Sequence, residues 1–353
     1  MKTNHTKKSS RWAVILLALI LAFTTLGMAA CGDSSDDDTS GDSASTGEGS
    51  TDTTVVKLSG LGGDPTRVDA ALIAQELGYF AEEGLEIEDV GVIDIPQHVS
   101  AVASGTVDTI SLMTSEGLTA VDGGADIIQV ATDQTTTADK QHMTFLVLPD
   151  SGIKTGKDLV GKRIGTASAS GGCTAGFPLE FIAQDGVETP RDKVELQTIP
   201  EETLVTALKA GDTDAIGVHL TKAQTEILYP DLEVLFTDYD ILGENGGDTG
   251  WFFTREYTEK NPETVTKFIR AITKAQAWIN ENNDEALEIY REKAIAVNED
   301  LLWVAHFSDD GINNPAGAQI WIDLFSSGDS SITLKNTDIQ VSDFTTDEFN
   351  PNK

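Results

Sequence analysis

Two cysteines in 353 residues leave no room for a disulfide framework, so stability has to come from a packed core. Basic residues are scarce: 24 Lys and Arg stand against 58 Asp and Glu, a formal net charge of −34. A surface of that sign repels phosphate backbones and anionic lipid headgroups, which argues against nucleic acid or an anionic membrane as partner. The acidity itself reads as a solubility feature. Long apolar runs are also lacking. Trp12 to Phe23 is unbroken, yet it falls short of the roughly 20 residues a helix needs to cross a bilayer. The five histidines, His5, His98, His142, His219 and His306, show no metal-ligand spacing. No Gly-x-Ser-x-Gly elbow occurs, and no Gly-Lys-Ser or Gly-Lys-Thr marks a nucleotide loop. The chain therefore reads as a non-enzyme, with no catalytic residue, no metal site and no cofactor.

What is present begins with Lys2, Lys7, Lys8 and Arg11 ahead of the apolar run, followed by Thr24, Gly27, Ala29 and Ala30. This is the layout of a secretory signal over residues 1–30. Ala29-Ala30-Cys31 resembles the lipobox of bacterial lipoproteins, with Met28 where leucine is usual. The resemblance implies that Cys31 is acylated and holds the protein at the outer face of the cell membrane by its lipid alone. Ordinary cleavage with a free thiol is the alternative. Residues 31–54 are almost entirely Ser, Thr, Asp, Gly and Glu, too polar to bury surface, and read as a disordered tether. Removing a signal with four basic and no acidic residues leaves a net charge of −38.

About 300 residues remain, enough for two compact lobes. Short apolar runs alternate with amphipathic stretches, the α/β pattern. Strands are expected at Val55 to Leu58, around Leu85, Ile87 and Val90, and at Val107 to Leu112, Ile127 to Ala131 and Met143 to Leu148. Helices are expected at Val68 to Leu77, Val99 to Ala103 and Ser115 to Val121. A second set has strands at Arg163 to Thr166, Val194 to Ile199, Ala215 to Val218 and Leu232 to Phe236, with helices at Thr174 to Ala183 and Glu202 to Ala210. Ala101-Val102-Ala103-Ser104-Gly105-Thr106-Val107-Asp108 is weakly repeated as Ala207-Leu208-Lys209-Ala210-Gly211-Asp212-Thr213-Asp214. Each reads as helix end, glycine cap and strand start, and points to a duplicated α/β lobe. Gly243, Gly246, Gly247 and Gly250 mark a turned return. Asn261-Pro262 then opens a helix to Asn280, and another runs from Asp284 to Lys293.

Leu77-Gly78-Tyr79-Phe80-Ala81-Glu82-Glu83-Gly84-Leu85-Glu86-Ile87 resembles a stretch of the nitrate, sulfonate and taurine-type substrate-binding proteins of ABC transporters, a family that also contains thiamine-precursor binders. Ala103 to Asp108, Ser151 to Gly165 and Leu208 to Asp214 follow in the family's order. The resemblance implies a bilobed type II periplasmic-binding fold, two α/β lobes joined by two chain crossings with the ligand between them. The crossings are placed near Leu146 to Asp150 and Asp240 to Gly250. Lobe 1 would comprise residues 55–148 and a mainly helical 243–353, and lobe 2 residues 149–242. The implied partners are a small-molecule ligand and an ABC permease with its ATPase, the protein itself being a monomer.

Loops after strands in open α/β sheets are where ligands sit. Three stand out, each with a plain structural alternative. Ser59 to Thr66 offers Gly62 and Asp64, as ligand contacts or a tight turn. Thr114, Ser115 and Glu116 follow a strand at a helix start, as anion donors or an ordinary cap, with Glu116 opposing an anion. Ser168, Ser170, Gly171, Gly172 and Thr174 form the richest candidate, an anion nest between strand and helix. His219 after a strand, and Asp248 and Trp251 at the return, complete the set. Asp64, Glu116 and Asp248 favour a cationic group, whereas the Ser/Gly loop favours an anion. The function expected is capture of a small polar or anionic solute, sulfonate, nitrate or taurine-like. A thiamine-precursor-like heteroaromatic, an amine-bearing ligand or a surface-sensor role is the alternative.

Overall fold

The computed structural model describes residues 53–169, 171–243, 249–327 and 332–353. The signal, Cys31 and nearly all of the tether lie outside the described residues, as do Ser170 and Asp248.

The described residues form twelve strands: β1 (Thr54–Leu58), β2 (Leu85–Asp89), β3 (Thr109–Met113), β4 (Ile127–Thr132), β5 (Gln134–Thr135), β6 (Thr144–Val147), β7 (Arg163–Thr166), β8 (Glu195–Thr198), β9 (Ala215–Val218), β10 (Glu233–Thr237), β11 (Thr249–Thr254) and β12 (His306–Phe307). β1 and β2 pair in parallel, and β11 lies antiparallel between β3 and β4. The Asp108 N–H donates to the Lys57 carbonyl at 3.0 Å, joining these pieces in the order β2-β1-β3-β11-β4. A second sheet has the order β8-β7-β9-β6-β10, and in it Asp214 N–H donates to the Arg163 carbonyl at 2.9 Å. The two sheets thus share one plan, which the weak repeat anticipates. Gly105 and Gly211 both sit at helix C-termini with φ of 73° and 78°, the left-handed conformation that stops a helix without a Cβ penalty.

In each sheet one strand is inserted antiparallel by a chain crossing: β11 in the first and β6 in the second. The expectation that residues 55–148 belong together is corrected here. β6 bonds between β9 and β10, Phe145 lying opposite Gly217 and next to Phe236, so the first crossing falls within 133–143. All four residues of β6 are buried, which gives no alternation to mark its sheet. Its place is set by shape: a Cβ on Gly217 would lie 2.5 Å from the Phe145 ring.

Of the stretch read as a glycine-marked return, Gly250 lies in β11, which pairs between β3 and β4 in the first sheet. Its side chains alternate as a buried strand requires. Trp251 and Phe253 enter the cluster with Val56, Ile73, Phe268 and Ile272, while Phe252 enters that of Val102, Ile110, Leu112 and Ile127. The last helix, Pro315–Ser326, was not foreseen, and it modifies the assignment of residues 243–353 to one lobe. Trp321 packs 5.4 Å from Phe177 and shares a cluster with Leu118, Phe145 and Phe236, so the helix buries apolar surface from both sheets.

Candidate functional site

The repeat places the ends of β3 and β9 equivalently, so Met113, the last residue of β3, matches His219, the residue just after β9. The helix expected from Thr174 starts instead as a π turn, Gly172–Gly176, which runs into the helix Phe177–Gln184. That turn carries Cys173 to both strand ends. Its sulfur lies 3.8 Å from Met113 Sδ and 3.8 Å from His219 Nε2. His142, just before β6, brings its ring within 5.1 Å of that of His219, edge to face.

Each member is held from behind. The Glu201 carboxylate, in the turn after β8, accepts from His219 Nδ1 at 3.0 Å and from its backbone N–H at 2.8 Å. Burial works against a charged His219 ring, but the Cys173 sulfur and Glu201 outweigh it and push the imidazole up to about 10. His142 goes the other way: burial, then the nearby His219 and Arg67, hold it well below its ordinary value, so that ring is neutral. Asp238, fully buried, accepts the backbone N–H groups of His142 and Met143 at 3.1 Å and fixes the approach to β6. Burial pushes its carboxyl up to about 6.

The first sheet contributes a polar wall. Asp133, at the end of β4, accepts from Ser111 Oγ at 2.7 Å, Gln276 Nε2 at 2.8 Å and Thr249 Oγ1 at 3.3 Å. Burial raises its carboxyl, while the Ser111 and Gln276 hydrogen bonds and the charge of Arg67 oppose the shift.

The sequence-predicted residues divide. Ser115 and Gly172 come together from opposite sheets, a Cβ on Gly172 falling 2.9 Å from Ser115 Oγ. In the loop read as an anion nest, Thr174 Oγ1 donates to the Ser168 carbonyl at 2.6 Å, and Ala175 N–H donates to the Gly171 carbonyl at 3.0 Å. A Cβ on Gly171 would sit 2.4 Å from that threonine oxygen, so this glycine permits the loop's own closure. Thr114 donates to Gln129 Oε1 at 3.1 Å within a polar chain that runs on through Asn313 to Asp347. Glu116 is half-buried, raised by burial and opposed by His98, toward which its charge is drawn. Gly62 packs on Ala294 and donates to Asp69 at 3.0 Å. Asp64 caps its own loop at Thr66 and pairs with Arg67 at 3.3 Å. Trp251 packs edge-on against Phe268, 5.1 Å away, in the core. A surface depression of about 400 Å³ on the helix Pro262–Glu281 is lined by none of the strand-end residues.

His142, Glu201, Arg67 and Asp133 are not singled out by the sequence, and Met113 and Cys173 lie in two of the candidate loops without being chosen as contacts. No spacing motif could have linked them, because they come from separate elements.

A model of the family described as NMT1/THI5 like matches residues 66–286. A putative aliphatic sulfonates-binding protein of Bacillus subtilis (strain 168) is 25% identical over 228 residues, covering 63% of this chain and 65% of that protein. The match thus spans less than two thirds of that relative's length. The 4-amino-5-hydroxymethyl-2-methylpyrimidine phosphate synthase of Legionella pneumophila subsp. pneumophila is 26% identical over 232 residues, covering 62% of this chain and 67% of the synthase. The alkanesulfonate-binding protein SsuA from Xanthomonas axonopodis pv. citri, solved bound to MOPS, superposes with a TM-score of 0.61 at 16% identity. The alignment covers 83% of this chain and 98% of that one. At that identity the likeness is one of fold, a bilobed α/β architecture of the periplasmic-binding type.

Proposed function

Because the chain belongs to the NMT1/THI5-like family, we propose that it is a solute-binding protein that captures a small polar or anionic molecule between two α/β lobes. One lobe is built on the first sheet and the other on the second, the chain passing between them after β4 and again between β10 and β11. The reading rests above all on one observation. Ser115 of the first sheet's side and Gly172 of the second's approach almost to contact where the carboxyl ends of β3 and β9 converge, the place open α/β sheets reserve for ligands. Hinge opening there would admit a solute, and closure would enclose it. Arg67 supplies the cation for an anionic head, and His219 a donor. Ser168 belongs to the proposed contact set, and Ser170 and Asp248 are kept in it from the sequence alone.

In the same reading the protein acts outside the cytoplasm, anchored through lipidated Cys31, and delivers its solute as a monomer to an ABC permease and its ATPase. Relatives named for sulfonate binding and for pyrimidine synthesis make those two ligand classes the first to try. Thermal unfolding of the purified chain with sulfonates, nitrate, bicarbonate, taurine, amino acids, polyamines and pyrimidines tests it. A captured solute at about 100 times its Kd adds roughly 2.7 kcal/mol. Turnover of one of these compounds, with no shift in melting by any, defeats capture as the function.

A further inference from the structure

The groups that converge at the strand ends are chemically unusual for a site that holds a polar solute. His142 Nε2 is shut off from solvent and has no hydrogen-bond partner. His219 Nδ1 is occupied by Glu201, so Nε2 is the nitrogen left facing Cys173. One ligand-type atom from each of His142, Cys173 and His219 lies within 4.8 Å of the other two. Met113 Sδ adds a thioether 3.8 Å from the cysteine sulfur. We propose that His142, Cys173 and His219, with Met113 as a weaker fourth ligand, bind one thiophilic metal ion, Cu(I) or Zn(II).

Distances support the assignment. Tetrahedral coordination at ~2.3 Å from sulfur and ~2.0 Å from nitrogen sets a sulfur and a nitrogen roughly 3.5 Å apart, and two sulfurs roughly 3.8 Å apart. The observed separations are 3.8 Å for Cys173 to His219 and 3.8 Å for Cys173 to Met113, so small side-chain adjustments close the shell. The donor set selects the ion class: two imidazoles, a thiol and a thioether suit soft or borderline ions, whereas Mg²⁺ and Ca²⁺ require oxygen. Supporting groups are in place as well. Glu201 on the far nitrogen of His219 is the carboxylate–histidine arrangement that orients a ring toward a metal. Asp238 grips the backbone on which His142 is carried. The positive charge of Arg67 is partly answered by Asp64 at 3.3 Å. Three ligands come from the second sheet's side and Met113 from the first, so the ion would fasten the two together.

The inference is independent of solute capture, because its test uses the metal alone. The reduced, purified protein is titrated with Co(II) as a spectroscopic stand-in, and with Zn(II) and Cu(I) against competing chelators. One ion per chain is expected, with a thiolate-to-Co(II) charge-transfer band and the intense visible bands of a tetrahedral site. Cys173→Ser should abolish the charge-transfer band. His142→Asn and His219→Asn should each weaken Zn(II) at least tenfold, and Glu201→Gln by about 10–100-fold. Met113→Leu should weaken Cu(I) more than Zn(II). Apo melting temperatures show which variants fold. Should Cys173→Ser not fold, wild-type alkylation supplies the readout: one equivalent of Zn(II) should protect Cys173 from iodoacetamide. Binding that survives Cys173→Ser, or Zn(II) and Cu(I) that neither bind stoichiometrically nor protect the thiol, overturns the proposal.

Discussion

Asp108 and Asp214 make the same contact in the two sheets: Asp108 accepts the backbone N–H of Lys57 at 2.8 Å, and Asp214 that of Arg163 at 2.9 Å, each 51 residues after its partner. Each aspartate also donates its own N–H back to the partner's carbonyl, so the pair locks the strand that opens a sheet to the one that continues it. Asp214 additionally takes the Arg163 guanidinium at 3.0 Å, which holds its carboxyl below the usual range. Asp108→Ala and Asp214→Ala should each destabilise by about 1–3 kcal/mol, by leaving a backbone donor without its acceptor. The Asp214 variant should lose slightly more, since a half-exposed ion pair adds at most about 1 kcal/mol. Urea unfolding midpoints check both, and a neutral Asp214→Ala would deny the equivalence.

Asp69 caps the helix Ala70–Glu76 by accepting from Ala71 N–H at 2.8 Å and from Gly62 N–H at 3.0 Å, yet burial outweighs these bonds and pushes its carboxyl from 3.8 to about 6. A raised carboxyl favours the protonated form in the folded state. Its contribution to stability is therefore complete below pH 3.8 and is lost as pH rises through about 6. Asp69→Asn removes that loss while keeping an acceptor. Relative to the parent, the variant should gain up to about 3 kcal/mol between pH 4 and 7. Melting curves across that range that stay parallel would refute the assignment.

Gly117 sits in the helix Thr114–Asp122, where alanine is intrinsically better by up to about 1 kcal/mol. A Cβ there would come within 2.1 Å of the Phe252 ring, and overpacking costs about 1–3 kcal/mol. The steric effect should win, so Gly117→Ala is expected to lower stability, with Phe252→Leu restoring part of it. Guanidinium unfolding of the single and double variants decides the sign.

Trp321 is wholly buried in the cluster that joins both sheets, and its Nε1 has no partner. Trp321→Ala should cost about 3–5 kcal/mol. Trp321→Phe should cost clearly less, because it keeps most of the apolar volume and removes an N–H that burial leaves unsatisfied. Equal losses in calorimetry would mean that the indole nitrogen matters in a way these contacts do not explain.

Elements with one polar face were legible. Val265, Phe268, Ile269, Ile272, Ala275 and Ile279 recur at helical spacing and form the buried face of Pro262–Glu281. Gly105 and Gly211 were legible because a left-handed cap is a local demand on a single residue. Strands buried on both faces were the difficulty. The sequence marks β6 as a strand without marking its sheet, and β11 reads as a turn because Gly250 and the glycines that precede it in the chain outweigh Trp251-Phe252-Phe253. Within the site, Ser115 and Gly172 were both chosen from loops after strands, and both lie where those loops meet.

By itself the sequence determined the α/β order, the repeated helix-cap-strand unit and the excess of acid, because each depends on neighbours in the chain. Which strand crosses into which sheet was decided only in three dimensions, by fits such as Phe145 over Gly217. So was the meeting of His142, Cys173 and His219: residues 31 and 46 positions apart carry no mutual signal until the ends of parallel β7 and β9 and the start of antiparallel β6 come to one place.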